Sequence, residues 1–538
     1  MTKMNTALYT LLLVMSCIYD TIQRSTVDSP SYVASVVEFS PEDRIDGGLT
    51  LMSNAYAYVQ FIWEAGFKGA DIIVFPESGL STSSMPARKD LKSWTSFVPD
   101  ANERYSPCTN ENVEMHSALK MVSCAANSTK MYVVINIGER VPCEEDGCPS
   151  DKLLYYNTNV VFDRDGIIIA KYRKTHLFGE YAFNVTKTPE IITFDTDFGV
   201  TFGTLICFDI LFSVPGLTLT RELGVKDIIF TSAWFSQSPF LTAVEVQHGW
   251  AFSEDVNLLA SGYNNPIGGS GGSGIFLGRQ GVGIAVMPFD QESKLLTYVV
   301  PKKTNSTIST KQTRAPTLER SQRIEKNLKV SEKSEVSIDM TNTYTVGNLT
   351  LIYDNLQNYT KEILTESVTN KTLCHDNFCC NFFVSMNDND PSVTYYLTVF
   401  EGIRVHLETI MAPTRLCGVV QCANKSSSSC SQSRNTSTSF NSISITATFK
   451  NFDKFLIMPM TLNTAILPID NFLHEEHSHG NDKNITISLN TKTENLVSFA
   501  FYARYYGSND PELENSADIG CLSPLLPLVI LLYLTIMG

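Results

Sequence analysis

Positive charge is scarce in this chain: 41 Lys and Arg residues stand against 56 Asp and Glu residues, and the formal net charge is −15. Acidic surfaces repel phosphates, so a nucleic-acid partner is not expected. Long apolar runs are also lacking. The run from Ala7 to Ile18 is shorter than the roughly 20 residues that a membrane-spanning helix needs. These two absences argue against a nucleic-acid-binding protein and against a membrane span at the N-terminus.

The N-terminal run instead has the form of a secretory signal peptide, because a basic residue (Lys3) precedes a short hydrophobic stretch. We assign residues 1–22 to this segment, although no small-x-small triplet marks the cleavage site. The mature chain is therefore expected to be extracellular.

The C-terminal tail, residues 522–537, is apolar, is interrupted by Ser and Pro, and is not followed by a basic residue. A transmembrane helix is usually longer and is flanked by Lys or Arg on the cytoplasmic side. The pattern favours a GPI-attachment signal over residues 509–538, with Ser508 or Asn515 as the attachment residue. The protein would then contact the plasma membrane through a GPI lipid. The alternative to a GPI signal is a plain C-terminal helical anchor. The alternative to a location on the cell surface is secretion.

Cysteine usage agrees with secretion. Of 13 cysteines, Cys17 and Cys521 lie in the terminal segments and Cys207 is considered separately below, which leaves ten that can pair. Disulfides form in oxidising compartments. The six cysteines between positions 374 and 430 allow 15 connectivities, which the sequence does not separate. The local pairs that we consider are Cys108 with Cys124 and Cys143 with Cys148.

Asn-x-Ser/Thr sequons are frequent. So many of them in a chain with a signal peptide predict glycans on the surface. They occur at Asn127, Asn184, Asn305, Asn348, Asn358, Asn370, Asn424, Asn435 and Asn484.

The chain divides by pattern into two domains. Over residues 30–305, apolar strand-like segments alternate with helix-like segments, which predicts an α/β domain, and an Asp-Gly step at Gly166 predicts a hairpin and hence a mixed sheet. Residues 306–345 are polar and basic and are interpreted as a linker or surface crossing. Residues 346–508 have β-rich patterns and form a predicted second domain. The histidines within 474–479 are interpreted as a mobile polar loop, not a zinc site.

Three segments each place a reactive side chain after an apolar strand. Glu77 follows Ile-Ile-Val-Phe-Pro, Lys174 follows the predicted hairpin, and Cys207 follows Phe-Gly-Thr-Leu-Ile. Sites in α/β proteins lie at such strand ends. Each residue alone has a plainer explanation: a surface carboxylate, a lysine that protects a sheet edge, or a structural cysteine. Against the last explanation, removing Cys207 leaves an even number of cysteines that can pair.

Together the three residues predict covalent catalysis of amide hydrolysis. The Cys207 sulfur is the candidate nucleophile, and a nearby Lys174 ammonium would lower the pKa of its thiol. Glu77 would move the proton from the thiol to the leaving amine. Lys174 and the backbone N–H of Phe208 would hold the oxyanion.

The ordered set of these segments resembles the nitrilase superfamily and, within it, the vanin and biotinidase family of secreted amidases. The likeness extends over nearly the whole mature chain. The matching segments are residues 72–77, 156–163, 171–178, 193–199, 207–210, 232–234, 373–380 and 398–402.

The resemblance implies a four-layer αββα sandwich of the nitrilase type, followed by a smaller β-rich domain. It also implies hydrolysis of a linear carboxamide without a metal or another cofactor. Glu180 lies in the loop that matches a second glutamate of many nitrilases, and it is a candidate for positioning the lysine or the substrate. Trp234 is a candidate for lining the pocket, with a role in the core as the alternative.

The expected substrate is a small amide. Vanins cleave pantetheine to pantothenate and cysteamine, biotinidase cleaves biocytin, and the expected GPI anchor favours a pantetheinase-like activity. Ser78 stands where vanins carry an acidic residue after the glutamate, which leaves the exact substrate open. The alternatives are a biotinidase-like amidase and a catalytically silent cell-surface glycoprotein of the same fold.

Overall fold

The structure is a computed structural model that describes residues 24–303 and 334–507. Within these ranges, no helix is both long enough and apolar enough to cross a bilayer. Several expectations fall on positions outside the described residues: the signal segment 1–22, the GPI segment 509–538, Asn305, Ser508 and Asn515.

Two six-stranded mixed sheets form the first half, residues 24–303. Its strands are β1 (Ser31–Glu38), β2 (Ile72–Val74), β3 (Tyr132–Pro142), β4 (Leu153–Phe162), β5 (Ile168–Arg173), β6 (Thr193–Asp195), β7 (Thr201–Ile206), β8 (Asp227–Ser232), β9 (Gln237–Ser238), β10 (Asn257–Gly262), β11 (Ser273–Leu277), β12 (Val282–Val286) and β13 (Lys294–Pro301). The strand orders are β13-β1-β2-β3-β4-β5 and β12-β11-β10-β8-β7-β6. Strands β1, β2 and β3 are parallel, as are β7, β8 and β10, and their other neighbours are antiparallel. The prediction of a mixed sheet is confirmed.

Helices cover the outer faces of both sheets. The α-helices are α1 (Gly47–Phe67), α2 (Ser117–Thr129) and α3 (Ala243–Glu254), and a π-helix spans Ser213–Glu222. Ile73 packs with α1 and α2, whereas Ile72 and Val74 on the opposite face of β2 pack against the second sheet. Because both faces are buried, the strand is an unbroken apolar run. With α3 and the π-helix on the second sheet, the layers are αββα, as expected.

The second half, residues 334–507, is built mainly from two sheets. Its strands are β14 (Ser334–Ser337), β15 (Thr343–Val346), β16 (Leu349–Tyr353), β17 (Thr360–Ile363), β18 (Val368–His375), β19 (Phe378–Asp388), β20 (Thr394–His406), β21 (Ile410–Cys422), β22 (Ser439–Phe449), β23 (Phe455–Asn463), β24 (Leu473–His479), β25 (Asp482–Leu489), β26 (Thr493–Glu494) and β27 (Leu496–Tyr505). The strand orders are β14-β20-β21-β27-β23, with β17 beside β20, and β18-β19-β22-β25-β24, with β26 beside β22. The two sheets pack face to face around an apolar core.

Alternation along the strands explains this sandwich. Every second residue of β19 from Phe378 to Met386 is buried, and the residues between them face outward. A strand with one buried face requires this period of two. The β-rich second domain is therefore confirmed.

Part of the predicted linker has regular structure. Residues 304–333 lie outside the described residues, but β14 pairs with β20 and β15 pairs with β16. The second half therefore begins before residue 346. Strands this short carry too few residues for an alternating pattern to stand out in the sequence.

The prediction of a polar loop at residues 474–479 is wrong. His474, His477 and His479 lie on β24, which pairs with β25 at the edge of its sheet. His474 and Glu476 are on one face of the strand. His477 and His479 are exposed on the opposite face, and His479 is the last residue of the strand. An edge strand with a solvated face carries charged residues, so the segment lacks the apolar signal of a strand.

Five disulfides lie within the described residues. The two predicted local pairs are confirmed, and Cys207 is the one free cysteine of the described ranges. Cys380 pairs with Cys417 and thereby joins β19 to β21 across the sandwich. The remaining pairs are Cys374 with Cys379 and Cys422 with Cys430.

The two halves share a continuous apolar core and direct hydrogen bonds. Strand β9 of the first half pairs in parallel with β16 of the second. Helix α3 lies so close to β23 that a Cβ on Gly249 would sit 2.7 Å from the Pro459 carbonyl oxygen. The Tyr506 hydroxyl donates to the carbonyl oxygen of Leu211 at 2.8 Å. The second half thus contacts the segment that follows Cys207.

Candidate active site

The three residues singled out in the sequence follow strands of both sheets. Glu77 lies three residues after β2, Lys174 directly follows β5, and Cys207 directly follows β7. Strands β2 and β5 belong to the first sheet and β7 to the second, which faces it. The packing of the two sheets therefore brings the three side chains to one place.

A buried lysine joins two carboxylates at this place. Lys174 Nζ donates to Glu77 Oε1 at 2.7 Å and to Glu180 Oε1 at 2.6 Å. Lys174 is only 2% exposed, so these contacts replace its hydration. The Phe178 N–H donates to Glu180 Oε2 and holds the loop around the lysine. Glu180 thus contacts Lys174. This contact fits the first of the two roles considered for Glu180, which were to position the lysine or the substrate.

Two further residues complete the polar network, and our sequence analysis did not single them out. Asn157 Nδ2 donates to Glu77 Oε1 at 2.8 Å and to Glu180 Oε1 at 2.9 Å, and the Ala233 N–H donates to Glu77 Oε2 at 2.8 Å. Asn157 has an amide side chain inside a largely apolar strand. A buried amide needs hydrogen-bond partners, and this is the one local sign in the sequence that Asn157 belongs to a polar network. Ala233 acts through its backbone, so its residue type carried no signal.

Cys207 follows the last residue of β7 and is the first residue of a 3₁₀ helix, Cys207–Leu211. The chain makes a tight turn there. The Cys207 φ of +48° is left-handed, which costs a non-glycine residue of order 1 kcal/mol or more. Asp209 stabilises the turn by accepting from the N–H of Ile206 at 3.2 Å. The same carboxylate accepts from Tyr172 Oη at 2.7 Å and from the N–H of His176 at 2.9 Å, which ties this turn to the segment that carries Lys174.

Burial and charge set the protonation states. Burial, with the charge of Glu77, raises the pKa of the Cys207 thiol well above its ordinary value, although Lys174 and the Ala233 N–H oppose the shift. Burial also raises the pKa of Glu77, against the opposing charge of Lys174. Burial alone would lower the pKa of Lys174, but Glu180 and Glu77 raise it well above its ordinary value. The resting site therefore holds a thiol beside an ammonium and a carboxyl group of raised proton affinity.

Glu180 differs from Glu77 in this respect. Burial would raise the pKa of Glu180, but the charge of Lys174 and donors from Lys174, Phe178 and Asn157 hold it below its ordinary value. The environment thus separates two carboxyl groups that share one lysine. Such a separation is typical of acid–base sites, in which one group stays ionised and the other accepts and returns a proton.

A small pocket opens at Cys207. Its walls are mainly aromatic and include the predicted pocket residues Phe208 and Trp234, with Phe178 and Phe235. Trp234 Nε1 donates to the Leu241 carbonyl oxygen at 2.9 Å, which fixes the indole orientation. Ser78 does not line this cavity, and its N–H donates to Asn136 Oδ1 at 2.8 Å instead.

Metal ligands are not grouped in the described ranges: no cluster of three or more His, Cys, Asp or Glu side chains there could hold an ion. The two carboxylates of the site share a lysine, which occupies the position between them.

Two family models match separate parts of the chain. The family model described as carbon-nitrogen hydrolase matches residues 45–247, and the one described as vanin C-terminal domain matches residues 349–509. A crystal structure of an amidase from Nesterenkonia sp. superposes with a TM-score of 0.38 at 16% identity, covering 51% of this chain and 92% of that one. A likeness at that score carries no weight in the assignment.

Similar proteins match over most of the chain. Vanin-like protein 1 of Drosophila melanogaster is 35% identical over 90% of this chain and 87% of its own length. Vanin-like protein 2 of the same species is 34% identical over 90% of this chain and 91% of its own length. The human protein named pantetheinase is 33% identical over 72% of each chain. With both family models matched and relatives covered almost end to end, the chain belongs to the vanin family of carbon–nitrogen hydrolases.

Proposed function

We propose that this protein is an extracellular amidase that hydrolyses pantetheine to pantothenate and cysteamine through a thioester on Cys207. The observation that carries the proposal is the contact of Lys174 with Glu77 and Glu180 beside the one free cysteine of the described residues. Pantetheine is the first candidate substrate because several relatives at 31–33% identity bear the name pantetheinase.

In the first half-reaction, Glu77 accepts the thiol proton while the Cys207 sulfur attacks the amide carbon. The raised pKa of Glu77 suits it to this transfer. Lys174 stays cationic and stabilises the oxyanion together with the Phe208 N–H, which lies in the first turn of a helix, where N–H groups have no partner within the helix. The C–N bond then breaks, and the amine leaves with the proton from Glu77.

In the second half-reaction, Glu77 takes a proton from water, and the hydroxide attacks the thioester. The C–S bond breaks, the acid product leaves, and the proton returns to the Cys207 sulfur. The roles of Glu180 and Asn157 follow from their contacts: they orient Lys174 and Glu77 and do not react.

The test is an amine-release assay on the purified ectodomain with pantetheine and biocytin. Release of cysteamine from pantetheine, with labelling of Cys207 by a thiol-directed inhibitor that the substrate competes away, is the expected result. Release of lysine from biocytin alone would establish the biotinidase-like alternative. An unreactive Cys207 together with no release from either amide would establish the silent glycoprotein.

We also propose that the chain is a glycosylated surface protein held by a GPI lipid. Five disulfides in the described residues support folding in an oxidising compartment. The sequon residues Asn348, Asn358, Asn370, Asn424 and Asn435 are exposed, whereas Asn127, Asn184 and Asn484 are half-buried. Release of the protein from cells by a phosphatidylinositol-specific phospholipase is the expected result, and retention on the membrane would favour a helical anchor.

A further inference from the structure

The cavity at Cys207 has a wall from the second half of the chain. His406, the last residue of β20, lines it together with Phe208, and the two rings meet edge to face with centroids 5.7 Å apart. Gln237 of β9, the strand that pairs with β16, lines it as well. Residues from both halves therefore surround one space beside the sulfur.

These two residues place polar side chains in the wall of an otherwise largely apolar pocket. His406 is 2% exposed and Gln237 is 5% exposed. Among the described residues, the two ring nitrogens of His406 have no hydrogen-bond partner. The Oε1 atom of Gln237 has none either. A buried polar atom without a partner is unfavourable, so a group that supplies the missing hydrogen bonds would be bound favourably.

His406 is uncharged. Burial lowers the pKa of its imidazole well below the ordinary value, and the nearby Arg404 and Arg504 lower it further. A neutral imidazole offers one donor and one acceptor, and the Gln237 carbonyl oxygen offers an acceptor. This set matches hydroxyl and amide groups, which both donate and accept. It does not match a carboxylate, which only accepts.

The position of this pocket beside the Cys207 sulfur favours the acyl part of the substrate. The acyl group stays attached to sulfur through the thioester stage, whereas the amine must leave before water attacks. A pocket lined by aromatic rings and by a residue from the second half suits the part that remains.

We propose that His406 and Gln237 form the acyl-recognition site of this enzyme and bind uncharged hydroxyl or amide groups of the acyl chain. This inference rests on the amidase function proposed above. The pantoyl group of pantetheine, with two hydroxyls and an uncharged amide, belongs to the chemical class that such a site selects. The second half of the chain would then determine specificity, while the first half supplies the reacting groups.

The test compares two substrates: pantetheine, and an analogue in which both pantoyl hydroxyls are replaced by hydrogen. The wild-type protein is expected to prefer pantetheine in kcat/KM. His406→Leu and Gln237→Met each remove hydrogen-bonding capacity with little change in volume, and each is expected to lower the preference about five- to tenfold, mostly through KM.

His248→Leu is the matched control. His248 is also buried, with neither ring nitrogen partnered among the described residues, but it lies on α3 against Phe252 and Phe472 and does not line the cavity. It is expected to keep the wild-type preference. Should His406→Leu fail to fold by thermal melting, Gln237→Met carries the test alone.

The outcomes separate the two proposals. If the protein cleaves both substrates but shows no preference, or if His406→Leu and Gln237→Met retain the wild-type preference, the recognition site is refuted and the amidase function stands. If the wild-type protein releases amine from neither these substrates nor biocytin, the proposed function fails, and the recognition site fails with it.

Discussion

The two halves of this chain are both built from paired sheets, yet their strands run differently. In residues 24–303 the central strands are parallel and covered on both faces. In residues 334–507 the strands pair with one another antiparallel except at the short β14, and many expose alternate residues. Parallel strands deliver their carboxyl ends to one edge, where side chains from distant positions can meet. Long antiparallel strands instead form a wall, and the end of one such strand, β20, reaches the cavity.

The buried ion pairs also differ between the two halves of the chain. In the second half, Arg404 pairs with a single carboxylate, Asp354, and with the Tyr359 hydroxyl. In the first half, Lys174 faces two carboxylates and a thiol. Burial is the main cause of the raised pKa of Glu77 beside Lys174, and the charge of Glu180 adds to it. The two buried groups therefore differ in their acidic partners: Lys174 has two carboxylates and a thiol nearby, and Arg404 has one carboxylate.

The strongest test of this division is Cys207→Ala. We expect the rate of amide hydrolysis to fall at least about 10³-fold, because no thioester can form. The melting temperature should change little, because the residue makes no disulfide. Single-turnover and steady-state assays would measure the rate. Wild-type turnover in this variant would place the nucleophile elsewhere.

Lys174→Met is the second test, with Lys171→Met as its matched control. Both lysines contact a buried glutamate, but Lys171 contacts Glu139, which also binds Arg173. Loss of an oxyanion donor is worth about 10²–10³ in kcat, so Lys174→Met should lose that much. Lys171→Met should lose stability and keep most of its activity. Equal losses of kcat in the two folded variants would contradict a special role for Lys174.

Disulfides allow a test of stability in both halves. Cys380 and Cys417 lie 37 positions apart, and Cys143 and Cys148 lie 5 apart. From loop-closure entropy, replacing the first pair by alanines should cost about 4 kcal/mol of unfolding free energy and replacing the second about 2 kcal/mol. Urea denaturation would measure the difference. If removal of the shorter loop were the more destabilising, chain entropy would not explain the cross-links.

The smallest expected effect concerns the contact between the halves. Tyr506→Phe removes the hydroxyl that donates to the Leu211 carbonyl oxygen, which Arg504 Nε also contacts at 3.3 Å. One hydrogen bond is worth about 1 kcal/mol of unfolding free energy, and kcat should fall less than tenfold because Arg504 still contacts Leu211. Equilibrium unfolding and the amine-release assay would measure both. A loss of kcat as large as that of Lys174→Met would mean that this contact positions the reacting atoms.

Much of the first half could be predicted because its signals are local. The apolar segments at residues 71–75 and 200–206 became β2 and β7, and the Asp-Gly step became the turn between β4 and β5, with Gly166 at a φ of +71°. The helical spacing of Tyr58, Phe61 and Ile62 is another local signal, and these residues lie within α1. The strand at 473–479 was missed because it lies at a sheet edge and has no apolar alternation.

The candidate site was predictable only in part. Glu77, Lys174 and Cys207 each follow a recognisable strand, so their segments stood out. Asn157 and Ala233 did not, because one is an interior amide and the other contributes an N–H that every residue except proline possesses. His406 belongs to a different half of the chain and ends an ordinary β-strand, so no nearby residue pointed to the cavity.

The sequence by itself predicted many strands of the first half, the β-rich second half and three candidate reactive groups, because apolar periodicity and residue chemistry are properties of neighbouring positions. Only the tertiary structure decided that Glu77 and Lys174, 97 positions apart, share a hydrogen bond, and that a histidine from the second half lines the space beside Cys207. Contacts over such separations arise when sheets pack face to face. Their free energy comes from burial of surface that no single segment of the sequence contains.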